Sequence, residues 1–373
     1  MLFRTPTLNN REKKALELVD GIRENVKYAL RKPNRWLGQL RRNMFARNIR
    51  GSNSIEGYNV SAEDAIAAAA GEEPLTAERE TWAAIKGYRD AMTYVLQLAE
   101  DPHFAYGDGF LRSLHFMMIG YDLTKNPGRW RPGPIYVRDE RKGEVIYEGP
   151  AFESVPELMA ELSGRLNAKE ECPSMVTAAM AHLNLVMVHP FSDGNGRMAR
   201  CLQTLVLARE GILEPEFCSI EEYLGRNTQD YYDVLAKVGH GRWAPRSDAR
   251  PWIDFSITAH HTQASTILKR TKETERVWNE LEQLIKTKGL PERVIFALSD
   301  AAFGYRVRNA TYRVIAEVAD AVASRDLKSL VDNGLLAADG AKRGRAYIAA
   351  PILKSIRERT REPGIVQLQL LDR

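Results

Sequence analysis

His189-Pro190-Phe191-Ser192-Asp193-Gly194-Asn195-Gly196-Arg197-Met198-Ala199-Arg200 puts a base, a carboxylate, a glycine-rich turn and two arginines into one short segment. Apolar residues recur at helical spacing before it (Met175, Val176, Ala179, Met180, Leu183, Met187) and after it (Met198, Cys201, Leu202, Leu205). The segment therefore links two buried helices and predicts a mainly α-helical core. Pro190 cannot continue the first helix, which places His189 at its end. Gly194-Asn195-Gly196 then opens the second, where residues without a Cβ let successive backbone amides converge on one anion.

The side chains suit a nucleotide polyphosphate. Arg197 and Arg200, three apart on one helix face, offer guanidinium forks to successive phosphates. Asp193 is a hard oxygen ligand of the kind Mg²⁺ takes when it bridges phosphates. His189, with an ordinary pKa near ~6.5, can take a hydroxyl proton at neutral pH. Phe191 reads as the loop's anchor in the core. A histidine at a helix end or a Gly-Asn-Gly turn is ordinary by itself. With average residue usage the whole pattern arises at a given start with a probability on the order of 10⁻¹⁰.

The segment resembles the signature of the Fic (filamentation induced by cAMP) domain family at every defined position. The resemblance implies transfer of AMP from ATP to a hydroxyl side chain of a target protein, with pyrophosphate leaving and Mg²⁺ (or Mn²⁺) required. On that resemblance His189 deprotonates the target hydroxyl and Asp193 holds the metal. Asn195 and the amides of Gly194 and Gly196 hold the α-phosphate region, and Arg197 and Arg200 the β and γ phosphates. Family members that phosphorylate carry a lysine where this chain has Gly196, so AMP transfer is the implied reaction.

Upstream, Ser52-Asn53-Ser54-Ile55-Glu56-Gly57 closes a helical stretch, with Gly57 suited to a helix C-terminus. Ser61 then caps an alanine-rich helix. Ser-x-x-x-Glu-Gly resembles the family's inhibitory motif, which implies that Glu56, with Ser52, pairs with Arg200 and excludes a productive γ-phosphate. A carboxylate and a phosphate would compete for the same fork.

Two short β-rich runs around Ile135-Tyr136-Val137 and Val145-Ile146-Tyr147 flank a charged turn, a hairpin signal. The resemblance makes this a flap on which Ile135 and Val137 clamp the target backbone by strand addition. Arg138 stands where many relatives have glycine. Tyr231 and Tyr232 match a family tyrosine pair that lines the adenine pocket, with packing of one ring in the core as the alternative.

The chain has 373 residues and a net charge of +4, with a sequence pI near 8.8, too mild to imply nucleic acid. Cys172, Cys201 and Cys218 lack metal-ligand or disulfide spacing, which fits a reducing cytoplasm. The sequence has neither a leader pattern nor an apolar run of membrane length, so no membrane partner is expected. The expected organisation is an amino-terminal helical region with the inhibitory motif (1–103), a Fic catalytic core (104–266), and a linker helix with a winged-helix-like α+β domain (267–373). In that last part a helix ending at Gly334 precedes a basic hairpin tip. Arg325 and Lys328 on the helix, with Lys342, Arg343 and Arg345 at the tip, make DNA a candidate partner; the acidic Asp326 and Asp332 favour protein docking instead. The resemblance also implies a homodimer. The sequence thus points to an autoinhibited protein adenylyltransferase, with removal of AMP from modified protein, or a DNA-binding regulator with a nucleotide sensor, as alternatives.

Overall fold

The computed structural model describes residues 1–31, 34–72, 76–138, 144–168, 171–340 and 345–363. Helices dominate, and the described strands form two antiparallel pairs. α1 (Asn10–Leu30) starts on a capping box in which the Asn9 side chain accepts from the Glu12 amide and Glu12 accepts from that of Asn9. α2 (Leu37–Ile55) ends with Glu56 as its cap and Gly57 at φ +83°, a left-handed residue that releases the chain from the helix. Ser61 caps α3 (Ala62–Ala70) by accepting from the Asp64 amide, and α4 (Arg79–Glu100) follows.

α5 (Asp108–Ile119) leads into β1 (Tyr136–Arg138) and β2 (Val145–Glu148), which pair antiparallel with an irregularity between Val137 and Arg138. The charged turn expected at 139–143 lies outside the described residues. α6 (Val155–Asn167), α7 (Ser174–Val188) and α8 (Asn195–Ala208) come next. The apolar residues whose spacing marked these last two helices are all buried. α7 is apolar around most of its circumference because α6, α8 and a later helix, α12, cover it.

α9 (Pro215–Cys218) and α10 (Glu221–Arg226) carry the chain to α11 (Thr228–Gly239) and to α12 (Arg250–Lys288). α2 crosses α10 backbone to backbone: a Cβ on Gly51 would stand 2.5 Å from the Glu221 carbonyl oxygen, and one on Gly225 2.7 Å from the Gly51 Cα. Only two glycines permit that approach, and it fixes where the end of α2 points.

The boundary expected at 266/267 falls inside one helix. α12 runs through it unbroken, because its buried face continues from Trp252 to Ile285 with no glycine or proline after Pro251. One apolar cluster joins Phe3, Leu183, Trp252, Trp278 and Leu327, so the three expected regions share a core. Beyond α12 lie α13 (Ile295–Ala302), α14 (Asn309–Ile315), α15 (Asp320–Asp332), β3 (Leu336–Asp339), β4 (Ala346–Ala349) and α16 (Pro351–Arg359). Val307 and Tyr347 exchange both backbone bonds at 2.8 Å, adding a bridge to the β3–β4 pair.

Lys342 and Arg343 lie outside the described residues. On α15, Lys328 is neutralised by Asp332 at 2.9 Å, and Asp326 turns inward to Arg293 and the Tyr312 hydroxyl. The helix is therefore a poor match to the basic reading surface that DNA requires. No described helix is long and apolar enough to cross a membrane.

Candidate active site

His189 is the cap of α7, held at φ 51° and ψ 58°. Its Nδ1 lies 3.0 Å from the Val186 carbonyl. A carbonyl only accepts, so Nδ1 carries the hydrogen and Nε2 of the neutral ring keeps its lone pair. Burial lowers the pKa of His189, more than the Val186 carbonyl and the nearby Glu56 raise it, so the ring is neutral at pH 7.

Arg131 staples this turn to the base of the strand pair. Its Nε donates to the His189 carbonyl at 2.9 Å and its Nη2 to that of Pro150 at 2.6 Å, while its amide donates to the Pro190 carbonyl at 2.8 Å. Phe191 is buried as an anchor, stacked on His115 with centroids 3.8 Å apart. His115 Nδ1 accepts from the Gly128 amide, so its Nε2–H donates to the Asp193 carbonyl at 3.0 Å. Burial pushes its pKa down to about 4, which keeps this tautomer at neutral pH.

At the mouth of α8, Gly194 has φ +76°, and a Cβ there would meet Ile119 Cδ1 at 2.8 Å. The following amides face outward from the helix start, where the macrodipole favours an anion. The side chain of Asn195 does not join them, which corrects its expected place at the phosphate. Its Oδ1 accepts from the Phe191 amide and its Nδ2 donates to the Phe191 carbonyl, both at 2.9 Å. With both polar atoms engaged, Asn195 braces the loop and offers at most its backbone to a ligand. Asn195→Ala leaves a buried amide unpaired and should destabilise the fold by about 1–3 kcal/mol; an unchanged thermal midpoint would refute the brace.

The two arginines differ. Arg197 is fully buried, and none of its three guanidinium nitrogens meets a hydrogen-bond partner among the described residues. Around it stand the Tyr58 ring, at 5.2 Å from ring centroid to guanidinium carbon, Asp193 Oδ2 at 3.8 Å and the Tyr121 side chain. Buried donors are ordinarily satisfied, so this guanidinium is poised for an absent anion. Arg200 is engaged: its Nη2 donates to Glu56 Oε1 at 2.7 Å and to the Ser52 carbonyl at 3.0 Å, and its Nε to the Ser52 hydroxyl at 2.7 Å. Burial works against the Arg200 charge, but Glu56, with smaller help from Tyr231 and Tyr88, more than offsets it and raises the pKa. A Cβ on Gly196 would collide with Glu56 Oε1, so that glycine makes room for the Glu56 carboxylate.

Asp193 is taken up on both oxygens. Oδ1 accepts from the Gly194 amide at 2.6 Å and Oδ2 meets Lys125 Nζ at 2.8 Å. Burial alone would raise the pKa of Asp193; Lys125 and Arg197 outweigh it and hold the carboxyl below its ordinary value. Among the described residues no three metal-ligating side chains come together. One carboxylate fits a Mg²⁺ ion that arrives on nucleotide phosphates, since that ion usually keeps waters and takes one or two protein carboxylates. Lys125 carried no sequence signal: it is a lone lysine at the end of a single 3-10 turn, Leu123–Lys125, brought to Asp193 by folding.

A cavity of 340 Å³ joins these parts, lined by His189, Glu56, Gly196 and Arg200, by Ile135, Tyr136 and Val137 of the strand pair, and by Tyr231 and Tyr232. The two tyrosines differ in exposure. Tyr231 is buried, its hydroxyl 2.9 Å from His182 Nε2. Tyr232 is open to solvent and donates to the Ile55 carbonyl at 3.1 Å, touching the end of α2.

Residues 109–207 match the profile described as the Fic/DOC family. In sequence the chain is similar to "Protein adenylyltransferase Fic" of Nematostella vectensis, 31% identical over 144 residues, or 38% of this chain and 29% of that protein. It is likewise similar to the protein of the same name from Culex quinquefasciatus, 33% identical over 147 residues, or 39% of this chain and 26% of that one. The chain thus spans under a third of the length of these relatives. In structure it is similar to a Fic family protein from Desulfovibrio desulfuricans G20 (TM-score 0.60, 20% identity), with 93% of this chain and 98% of that one covered. A fragment of Fic-1 from C. elegans gives a TM-score of 0.54 at 22% identity, over 70% and 73% of the two chains. The shared fold extends beyond the matched domain.

Proposed function

Residues 109–207 match the Fic/DOC family, and from that premise we propose that the chain is a protein adenylyltransferase that holds itself inhibited. The observation that carries the reading is Arg197: a buried guanidinium without hydrogen-bond partners, at the N-terminus of α8 and one loop away from a neutral histidine. Buried donors are ordinarily hydrogen-bonded, so such a group favours an anion beside it.

In the proposed reaction a hydroxyl oxygen of the target attacks the α-phosphorus of ATP. The hydroxyl proton passes to His189 Nε2, the bond to the bridging oxygen breaks, and pyrophosphate leaves with that electron pair. The amides at the start of α8 hold phosphate oxygens, Arg197 takes the β-phosphate, and Arg200 takes the γ-phosphate once Glu56 withdraws. Ile135 and Val137 present a strand edge along which the target backbone can add. The protein's work is positioning and charge stabilisation, as phosphorus displacements require. Asp193 would hold Mg²⁺ or Mn²⁺, which when bound neutralises charge on the leaving pyrophosphate.

With Glu56 on Arg200, ATP can enter only with its γ-phosphate displaced, which takes the α-phosphorus out of line for attack. We read the carboxy-terminal unit, α13 to α16, as a winged helix that serves docking.

The test is incorporation of label into protein from ATP labelled on the α-phosphate, set beside ATP labelled on the γ-phosphate. Transfer of the α label alone supports the reading; transfer of the γ label replaces it with phosphorylation. Lys125 competes with the metal for Asp193, so Lys125→Ala should lower the Mg²⁺ concentration for half-maximal transfer about twofold to fivefold. A metal titration that superimposes on that of the unsubstituted protein would remove Lys125 from the site.

A further inference from the structure

α2 reaches the active site with one end and walls a second cavity with the other. That cavity, of 610 Å³, lies among α2, α12, α13 and α16, away from His189 and its neighbours. Its volume falls in the range of small-molecule sites, roughly 300–1,000 Å³. Five basic residues border it, Arg47, Arg270, Lys354, Arg357 and Arg361, against two acidic ones, Glu273 and Glu358. Arg270 is committed to Glu222, which Arg47 also meets at 3.5 Å, and Arg357 to Glu273 at 2.7 Å. Lys354 and Arg361 form no ion pair with any described residue.

Polar residues also stand in its wall. Gln39 and Ser299 line the cavity, and Gln39 Oε1 and Ser299 Oγ, closed to solvent, have no hydrogen-bond partner among the described residues. Gln39 is 4% and Ser299 1% exposed. Surplus positive charge around a cavity of this size suits an occupant with anionic oxygens.

We propose that this cavity binds a small polyanion with clustered phosphates, of about nucleotide size. By joining Arg47 of α2 to Lys354 and Arg361, the ligand fixes α2 in the position where Glu56 holds Arg200. This regulatory part rests on the inhibitory reading of Glu56 given above. α2 is already tied to the same unit: Arg42 meets both Asp300 oxygens at 2.7 Å, Gln39 Nε2 donates to Asp300 Oδ1 at 2.6 Å, and Arg47 to the Tyr305 hydroxyl at 2.5 Å. The cavity has this shape only while α2 is seated. A ligand that needs the shape therefore favours the seated state by its difference in affinity between the two states.

The test is calorimetric titration of the full chain with inorganic tripolyphosphate at low salt, beside the double variant Lys354→Glu/Arg361→Glu. Both positions are exposed, so the variant should fold. Binding weakened at least about tenfold in the variant supports the site. Absence of binding to the unsubstituted protein, or equal binding by the variant, overturns it. Hydrogen exchange across α2 reads the second half: tripolyphosphate should slow exchange in the unsubstituted chain and leave the variant unchanged. Binding without slower exchange in α2 overturns the clamp. Neither measurement uses catalysis, so failure here stays distinct from failure of the adenylyltransferase reading.

Discussion

Glu56→Gly should raise AMP incorporation into protein by about 10- to 100-fold. The pair it removes is a charge-assisted contact of 2.7 Å to a fully buried guanidinium, and such contacts contribute about 1.5–3 kcal/mol. Released into a competition between carboxylate and γ-phosphate, that free energy converts to one or two orders of magnitude in productively bound ATP. The fold should tolerate the change. Glu56 caps α2 at φ −91°, a conformation open to any residue, and Ser52 still holds Arg200 through its hydroxyl and carbonyl. The measurement is the initial rate of α-phosphate label entering protein. Equal rates for the two forms would remove autoinhibition, and stripping of AMP from pre-modified protein by the unsubstituted chain alone would turn Glu56 from a block into part of a hydrolytic site.

His189→Ala, made in the Glu56→Gly background, should lower the rate by about 10²–10⁴-fold, the usual contribution of a positioned general base. ATP affinity should change little, because the phosphate contacts come from α8 and not from the imidazole. The pH profile supplies a second readout. The reactive form is neutral, and burial holds the pKa below the ordinary 6.5. Activity should therefore be full at pH 7 and fall on acidification only as pH drops through the depressed pKa. Glu56 raises the His189 pKa, so in the Glu56→Gly protein the acid limb should move to lower pH still. A limb at or above 6.5, or a rate insensitive to His189→Ala, would assign the proton elsewhere.

Much of the site was legible before any coordinates because its parts are contiguous. One helix end, one turn and one helix start carry His189, Asp193, the glycines and both arginines, and local chemistry dictates each: proline to stop, glycine to turn, arginines three apart to share a face. The helices around it were legible from apolar period for the same reason. Asn195 was misread because its type suits a phosphate, whereas its use depends on where the Phe191 backbone stands. The continuity of α12 across 266/267 was not legible because motif content changes there while the apolar face of the helix does not.

The sequence by itself determined the chemistry of this protein: which residues can take a proton, hold a phosphate or turn the chain, since these follow from side-chain type and spacing over a few residues. Only the tertiary structure decided which of them meet. Ser52 and Glu56 reach Arg200 across 148 and 144 positions, Lys125 reaches Asp193, and Gly51 lets α2 touch α10. No local spacing encodes such contacts, because they arise when distant helices bury their faces in one shared core, and packing at that density leaves a side chain few places to go.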